Sequence, residues 1–152
     1  MFTIRAFTET DREPLTALWL RSVRATHDFL TEDDIAFYLP MVRGAFDTPG
    51  TVVLDSDDAG PAGFMVLDAN KVDALFIAPE QMGRGGGRLL LAHARHAISD
   101  ALPLLVDVNE DNPEAAAFYR RLGFRQTGRS ALDGTGRPFP LLHLELDGEL
   151  TP

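Results

Sequence analysis

The feature that most constrains this chain is the run Met82-Gly83-Arg84-Gly85-Gly86-Gly87-Arg88, set between a strand-like stretch and a helix-like one. Residues 72–78 are apolar with strand character, 79–87 form a loop rich in glycine, and 88–99 take up a helical period. A further strand follows at 104–108. A strand–helix–strand passage of this length makes the two strands parallel, joined by a right-handed crossover.

The flanking segments do not repeat that unit. Residues 3–7 alternate as a first strand, and Thr10 with Glu13 is expected to cap a helix carrying Leu15, Leu18, Trp19 and Val23 on one face to about Thr26. A second helix is expected from Thr31, with Asp33 and Asp34 near its positive end and Pro40 kinking or breaking it. Strands at 51–55 and 63–68 flank an Asp57-Asp58-Ala59-Gly60 turn. Asn112-Pro113 opens a helix that buries Ala115, Phe118, Tyr119 and Leu122 and stops at Gly123. Residues 124–132 and 140–146 read as a final strand pair around Asp133-Gly134-Thr135-Gly136. The class is therefore α+β: a mixed, mostly antiparallel sheet with one parallel pair and about four helices, over a single domain of 152 residues.

Composition narrows the function. Fourteen basic and 23 acidic side chains give a formal charge of −9, which disfavours nucleic acid and anionic membranes and favours a cationic partner. The chain has no cysteine, so disulfides, thiolate metal sites and a cysteine nucleophile drop out. No apolar run has membrane-crossing length and no signal segment begins at Met1, so a cytoplasmic location is expected. His93 and His96 lie three apart on the helix after the loop, without further ligands in register, so no metal site is expected. Arg84, Arg88, Arg95, Arg120, Arg121 and Arg125 form a local basic exception suited to an anion, or an ordinary solvated face.

The glycine loop fails two phosphate-binding registers. It lacks the Gly-Lys-Ser/Thr ending of a nucleotide-triphosphatase loop. The dinucleotide pattern GxGxxG would need glycine where Arg88 or Leu90 stands. What remains is a tight turn whose backbone N–H groups converge on an anion at a helix N-terminus, or a glycine-rich connection without a ligand.

Two blocks together carry a more specific signal. Asp73-Ala74-Leu75-Phe76-Ile77-Ala78-Pro79-Glu80 followed by Gly83–Arg88 resembles the central strand and pyrophosphate loop of the GNAT superfamily of acetyl-CoA-dependent N-acyltransferases. Val108-Asn109-Glu110-Asp111-Asn112 with Ala116-Ala117-Phe118-Tyr119-Arg120-Arg121-Leu122-Gly123-Phe124 resembles its second motif. Arg21-Ser22-Val23, Ala25–Leu30, Thr127–Ser130 and Gly136–Leu142 extend the resemblance toward the YjaB-type bacterial branch. Met82 departs from the family's usual glutamine or arginine, and Gly86 from its usual aliphatic residue.

The resemblance implies an N-acetyltransferase moving an acetyl group from acetyl-CoA directly to an amine. Leu75 and Ile77, with Phe76 between them, would offer backbone groups to the pantetheine arm. Met82 to Arg88 would hold the pyrophosphate, and Asn109 would bond the pantetheine where the parallel strands splay. From its local setting alone, Asn109 equally steadies the turn into the next helix. Tyr119 would protonate the departing thiolate as a general acid; its periodicity alone suits a core tyrosine. For the general base, His27 ranks ahead of Asp73, with Asp28 and His143 as further candidates. His27 near a helix end also suits a purely structural imidazolium. No serine has the context of a nucleophile, so a covalent acyl-enzyme is disfavoured. The acceptor is an amine-bearing small molecule or a protein lysine, and a dimer is common in the family. A catalytically silent acetyl-CoA sensor is the alternative.

Overall fold

The computed structural model describes residues 1–152. Along the chain run β1 (Phe2–Ala6), α1 (Arg12–Thr26), α2 (Glu32–Ala45), β2 (Thr51–Ser56), β3 (Gly60–Asp68), β4 (Lys71–Ile77), α3 (Gly86–Ala97), β5 (Leu104–Asn109), α4 (Pro113–Arg121), β6 (Arg125–Ser130) and β7 (Leu141–Leu146). The strands form a 7-stranded sheet in the order β1-β2-β3-β4-β5-β7-β6. The β4–β5 pair is parallel, while β1–β2, β2–β3, β5–β7 and β6–β7 are antiparallel. This is the expected mixed sheet with four helices. Its contacts divide into two units, and β4 contributes residues to both.

The first unit comprises Met1–Ala69 and Asp73–Leu91. The expected α1 face is its core: Leu15, Leu18, Trp19 and Val23 are buried with Ile35, Phe46, Val53, Phe64, Val66 and Ala78. Removing each large apolar side chain of this kind from water is worth about 1.5–3 kcal/mol. The Thr10–Glu13 cap does not form as expected. A 3-10 turn over Glu9–Asp11 precedes α1, and Asp11 accepts the Thr8 N–H at 2.8 Å instead. The shift has a tertiary cause, because Arg5 of β1 grips both oxygens of the buried Asp11 at 2.8 Å. Those hydrogen bonds outweigh burial and, with the Thr8 N–H, hold the Asp11 carboxyl down to about 2. A depressed carboxyl stabilises the fold above its unfolded value and ceases to do so as pH falls through the folded one. Stability should therefore drop between about pH 4 and pH 2, and less steeply in Asp11→Ala, which should itself lose about 1–3 kcal/mol. Equal acid slopes of ΔG for the two proteins would contradict this.

In α2 the expected break at Pro40 is also absent, and the helix runs through it. Pro40 and Ala36, whose carbonyl loses its partner at the proline, are both exposed, so that carbonyl is not left in a dry interior. Thr31 and Asp34 cap the helix reciprocally, at 2.9 and 3.1 Å.

The second unit comprises Asn70–Val72 and Ala92–Pro152. Parallel pairing covers Lys71 with Leu105 and Val72 with Val106. Antiparallel β5–β7 pairing then runs from Leu104 opposite Leu146 to Asn109 opposite Leu141. Asn112 caps α4 by accepting the Ala115 N–H at 3.2 Å. That phase buries Ala116, Tyr119 and Leu122 and leaves Ala115 and Phe118 half-buried, correcting the expected face. Gly123, at φ 106°, supplies the left-handed stop. Arg95 does not belong to a basic face: it is 2% exposed, and its guanidinium donates to the carbonyls of Ser99 and Leu102 at 2.8 Å.

Candidate functional site

In the first unit, the glycine loop leaves a 3-10 turn over Pro79–Gln81 and enters α3 at Gly86, two residues before the expected start. Gly83 (φ 76°) and Gly85 (φ 86°) are both left-handed. A Cβ at either would meet open space, so backbone conformation and not crowding requires glycine there. Gly86 differs from both: a Cβ there would stand 2.6 Å from Leu54 Cδ2 and 3.5 Å from Ile77 Cδ1, so the helix start packs against apolar side-chain ends that a larger residue would displace. The first helical hydrogen bond at this end joins the Leu89 N–H to the Gly85 carbonyl at 3.1 Å. The N–H groups of Gly86, Gly87 and Arg88 therefore precede the helical ladder and carry its positive end.

Arg84 is exposed, with its guanidinium 5.6 Å from the Phe2 ring centroid and donating to Gln81 Oε1 at 2.7 Å. Met82, which follows the 3-10 turn, is extended and 41% exposed. These features assemble N–H donors and cations suited to a diphosphate.

The same unit brings Phe76 and His27 together, with ring centroids 5.9 Å apart. Phe76 also meets Trp19 edge-on at 6.4 Å, while Leu75 and Ile77 on either side are half-buried. His27 lies at the end of α1, its Nδ1 2.7 Å from Thr26 Oγ1 and its ring 5.4 Å from that of Phe29. Burial pushes its pKa down to about 4, against the opposing pull of Asp28. The imidazole is thus neutral near pH 7, and the helix-end imidazolium considered from the sequence is not favoured. Asp28 and Asp73 are both exposed.

In the second unit, Asn109 ends β5 half-buried, and its carbonyl accepts the Asn112 N–H at 3.0 Å. Tyr119 is 7% exposed, its ring edge-on to Phe118 at 5.2 Å and to Phe124 at 5.3 Å. Burial alone raises its phenol above the ordinary value, with no charged or hydrogen-bonding neighbour lowering it. It stays protonated throughout the physiological range.

The second unit also holds a cluster that the sequence did not assemble. His143 Nδ1 lies 2.6 Å from Asp107 Oδ1, Lys71 Nζ donates to Asp107 Oδ2 at 2.7 Å, and Ser130 Oγ lies 2.7 Å from His143 Nε2. Alternation along 104–109 and 141–146 would have placed Asp107 and His143 on the less buried faces of their strands. Their meeting depends on the β5–β7 register.

Known proteins supply the context. The sequence pattern of the acetyltransferase (GNAT) domain family matches residues 40–137. Peptidyl-lysine N-acetyltransferase YjaB of Escherichia coli (strain K12) is 41% identical over 155 aligned residues, covering 97% of this chain and 99% of the relative. The solution structure of apo-form YjaB from Escherichia coli superposes with a TM-score of 0.87 at 40% identity, covering 97% of this chain and 99% of that one. A PaiA N-acetyltransferase from Thermoplasma acidophilum, solved in complex with coenzyme A, shares the fold at a TM-score of 0.74 and 18% identity, covering 97% and 99%.

Proposed function

Because the chain belongs to the GNAT acetyltransferase family, whose members move an acetyl group to an amine, we propose that its donor is acetyl-CoA and its acceptor a protein lysine. The observation that carries the donor is the loop with Gly83 and Gly85 left-handed just ahead of α3. The N–H groups of Gly86, Gly87 and Arg88 bind the diphosphate, with Arg84 and Arg88 adding charge and Met82 contributing backbone. Leu75 and Ile77, on either side of the core-packed Phe76, offer main-chain groups to the pantetheine arm, and Asn109 adds a side-chain amide.

Acetyl-CoA supplies the thioester. Tyr119 holds a proton on its hydroxyl and gives it to the departing sulfur, and a buried setting that raises a phenol raises a thiol in the same direction. His27, uncharged between Phe29 and Phe76, and Asp73, exposed on β4, serve the acceptor side: one as an aromatic wall, the other as an attraction for the cation. The formal charge of −9 favours the approach of a lysine ammonium. The lysine acceptor rests on the 41% identity to a peptidyl-lysine acetyltransferase.

The test is a thiol-release assay with acetyl-CoA across a lysine-containing peptide, a peptide whose only amine is its N-terminus, and a polyamine. Turnover on the lysine peptide should exceed the others by at least about tenfold, or about 1.4 kcal/mol in the barrier. Preference for the polyamine or the N-terminal amine would replace the acceptor and leave the donor standing.

A further inference from the structure

We propose that His143, oriented by Asp107 and hydrogen-bonded to Ser130, takes the proton that the acceptor ammonium must lose before it attacks. The inference rests on the acetyltransferase reading, and its geometry lies wholly within the second unit. Asp107 and His143 stand directly opposite in the β5–β7 register, and Ser130 pairs with Leu141 of β7 on the other side. Burial opposes ionisation of Asp107, yet the hydrogen bonds from His143 and Lys71 prevail and hold its carboxyl below the usual range. An ionised carboxylate only accepts, so the proton between them resides on His143 Nδ1. Nε2 then carries the lone pair and accepts the Ser130 hydroxyl at 2.7 Å. Lys71 holds the second oxygen of Asp107 at 2.7 Å, which keeps the carboxylate from rotating away.

The proton path balances. The ammonium gives a proton to Ser130 Oγ as the hydroxyl's own proton passes to His143 Nε2. The amine gains its lone pair, and Asp107 stabilises the resulting imidazolium. The His143 side chain is 35% exposed, so the proton can pass on to water. Among the strand residues of the second unit, the charged groups on this face are Lys71 of β4, Asp107 of β5, Arg125 of β6 and Glu145 of β7. Arg125 pairs with Glu145 at 3.2 Å and with Asp147 at 3.0 Å.

Placement supports the role. Asp107 and Asn109 lie two residues apart on the same face of β5, which is roughly 7 Å along a strand. The end of the relay that meets the ammonium, Ser130, stands in the same cross-strand row as Asn109, since both pair with Leu141 of β7 from opposite sides. His27 lacks these properties: its Nδ1 meets a threonine hydroxyl, not a carboxylate, and burial disfavours its protonated form.

The experiment measures thiol release with a lysine peptide, and acetyl-CoA affinity by calorimetry, for the wild type, His143→Ala, Asp107→Asn and Ser130→Ala. His143→Ala should lower kcat by about 10²-fold or more with acetyl-CoA affinity kept, and added imidazole should restore part of the rate. Asp107→Asn should lower kcat without rescue by added imidazole, because it disturbs the tautomer and leaves the histidine in place. Wild-type kcat in His143→Ala overturns the relay, as does a loss that imidazole does not repair. Acetyl trapped on Ser130 during turnover overturns it in favour of a covalent route. A wild-type enzyme that turns over no amine removes the acetyltransferase reading itself, which separates the two failures.

Discussion

Tyr119→Phe should retain acetyl-CoA affinity and lose about 10²-fold or more of kcat, the range expected when a positioned general acid is removed. The substitution deletes one oxygen from a ring that is otherwise held by apolar contacts with Phe118 and Phe124. No charged or hydrogen-bonding neighbour influences the phenol's acidity, so its removal leaves no such partner stranded. The fold should therefore survive, with thermal stability within a few degrees of the wild type. Calorimetric titration with acetyl-CoA, run beside thiol release, separates binding from chemistry. The same pair of measurements distinguishes an enzyme from a silent sensor, since a sensor has no need of a leaving-group acid. Unchanged kcat in the variant would remove Tyr119 from the mechanism.

The second large effect is expected at Gly85. At φ 86° an ordinary L residue is strained by about 1–2 kcal/mol, and a β-branched one by more. A Cβ at this position meets no neighbouring atom, so Gly85→Val should act through the backbone alone. The loop relaxes toward negative φ, and the N–H groups ahead of α3 no longer converge on one anion. Acetyl-CoA affinity should fall on the order of a hundredfold, about 2.7 kcal/mol, with little change in unfolding temperature. Intact affinity in calorimetry would show that the loop does not hold the diphosphate.

Features set by neighbours in sequence were legible before the structure. The strand–glycine loop–helix unit, the Asn112-Pro113 start of α4, the Gly123 stop and the Leu15–Leu18–Trp19–Val23 face depend on local chemistry and periodicity, and each occurs as expected. The cap of α1 was misplaced because Asp11 is held by Arg5, a contact between elements. Of the kink or break expected at Pro40, the break does not occur, and the exposure that lets the helix run on cannot be known from the residue type. Arg95 was assigned to a basic face because a buried arginine satisfied by carbonyls has no sequence signature. His143 stood only as one candidate among several bases. Its partner Asp107 lies 36 residues away, and strand register alone brings them together.

The histidines show why geometry had to decide between candidates of the same type. His27 carries the local resemblance, but its aromatic surroundings and burial disfavour the imidazolium. His143 lies outside the motif blocks that carry the resemblance and has a carboxylate on one nitrogen and a hydroxyl on the other. A base needs a free nitrogen aimed at the proton and a partner that orients the ring, and only the second arrangement supplies both.

The most direct test of acetyl transfer from acetyl-CoA to lysine is the stoichiometry of one reaction, in which released thiol and acetylated lysine are quantified together by colour reaction and mass spectrometry. Equal amounts of the two products, formed only when both acetyl-CoA and the lysine peptide are present, are the predicted result. Thiol release without acetylated lysine, or no release with any amine, would contradict it.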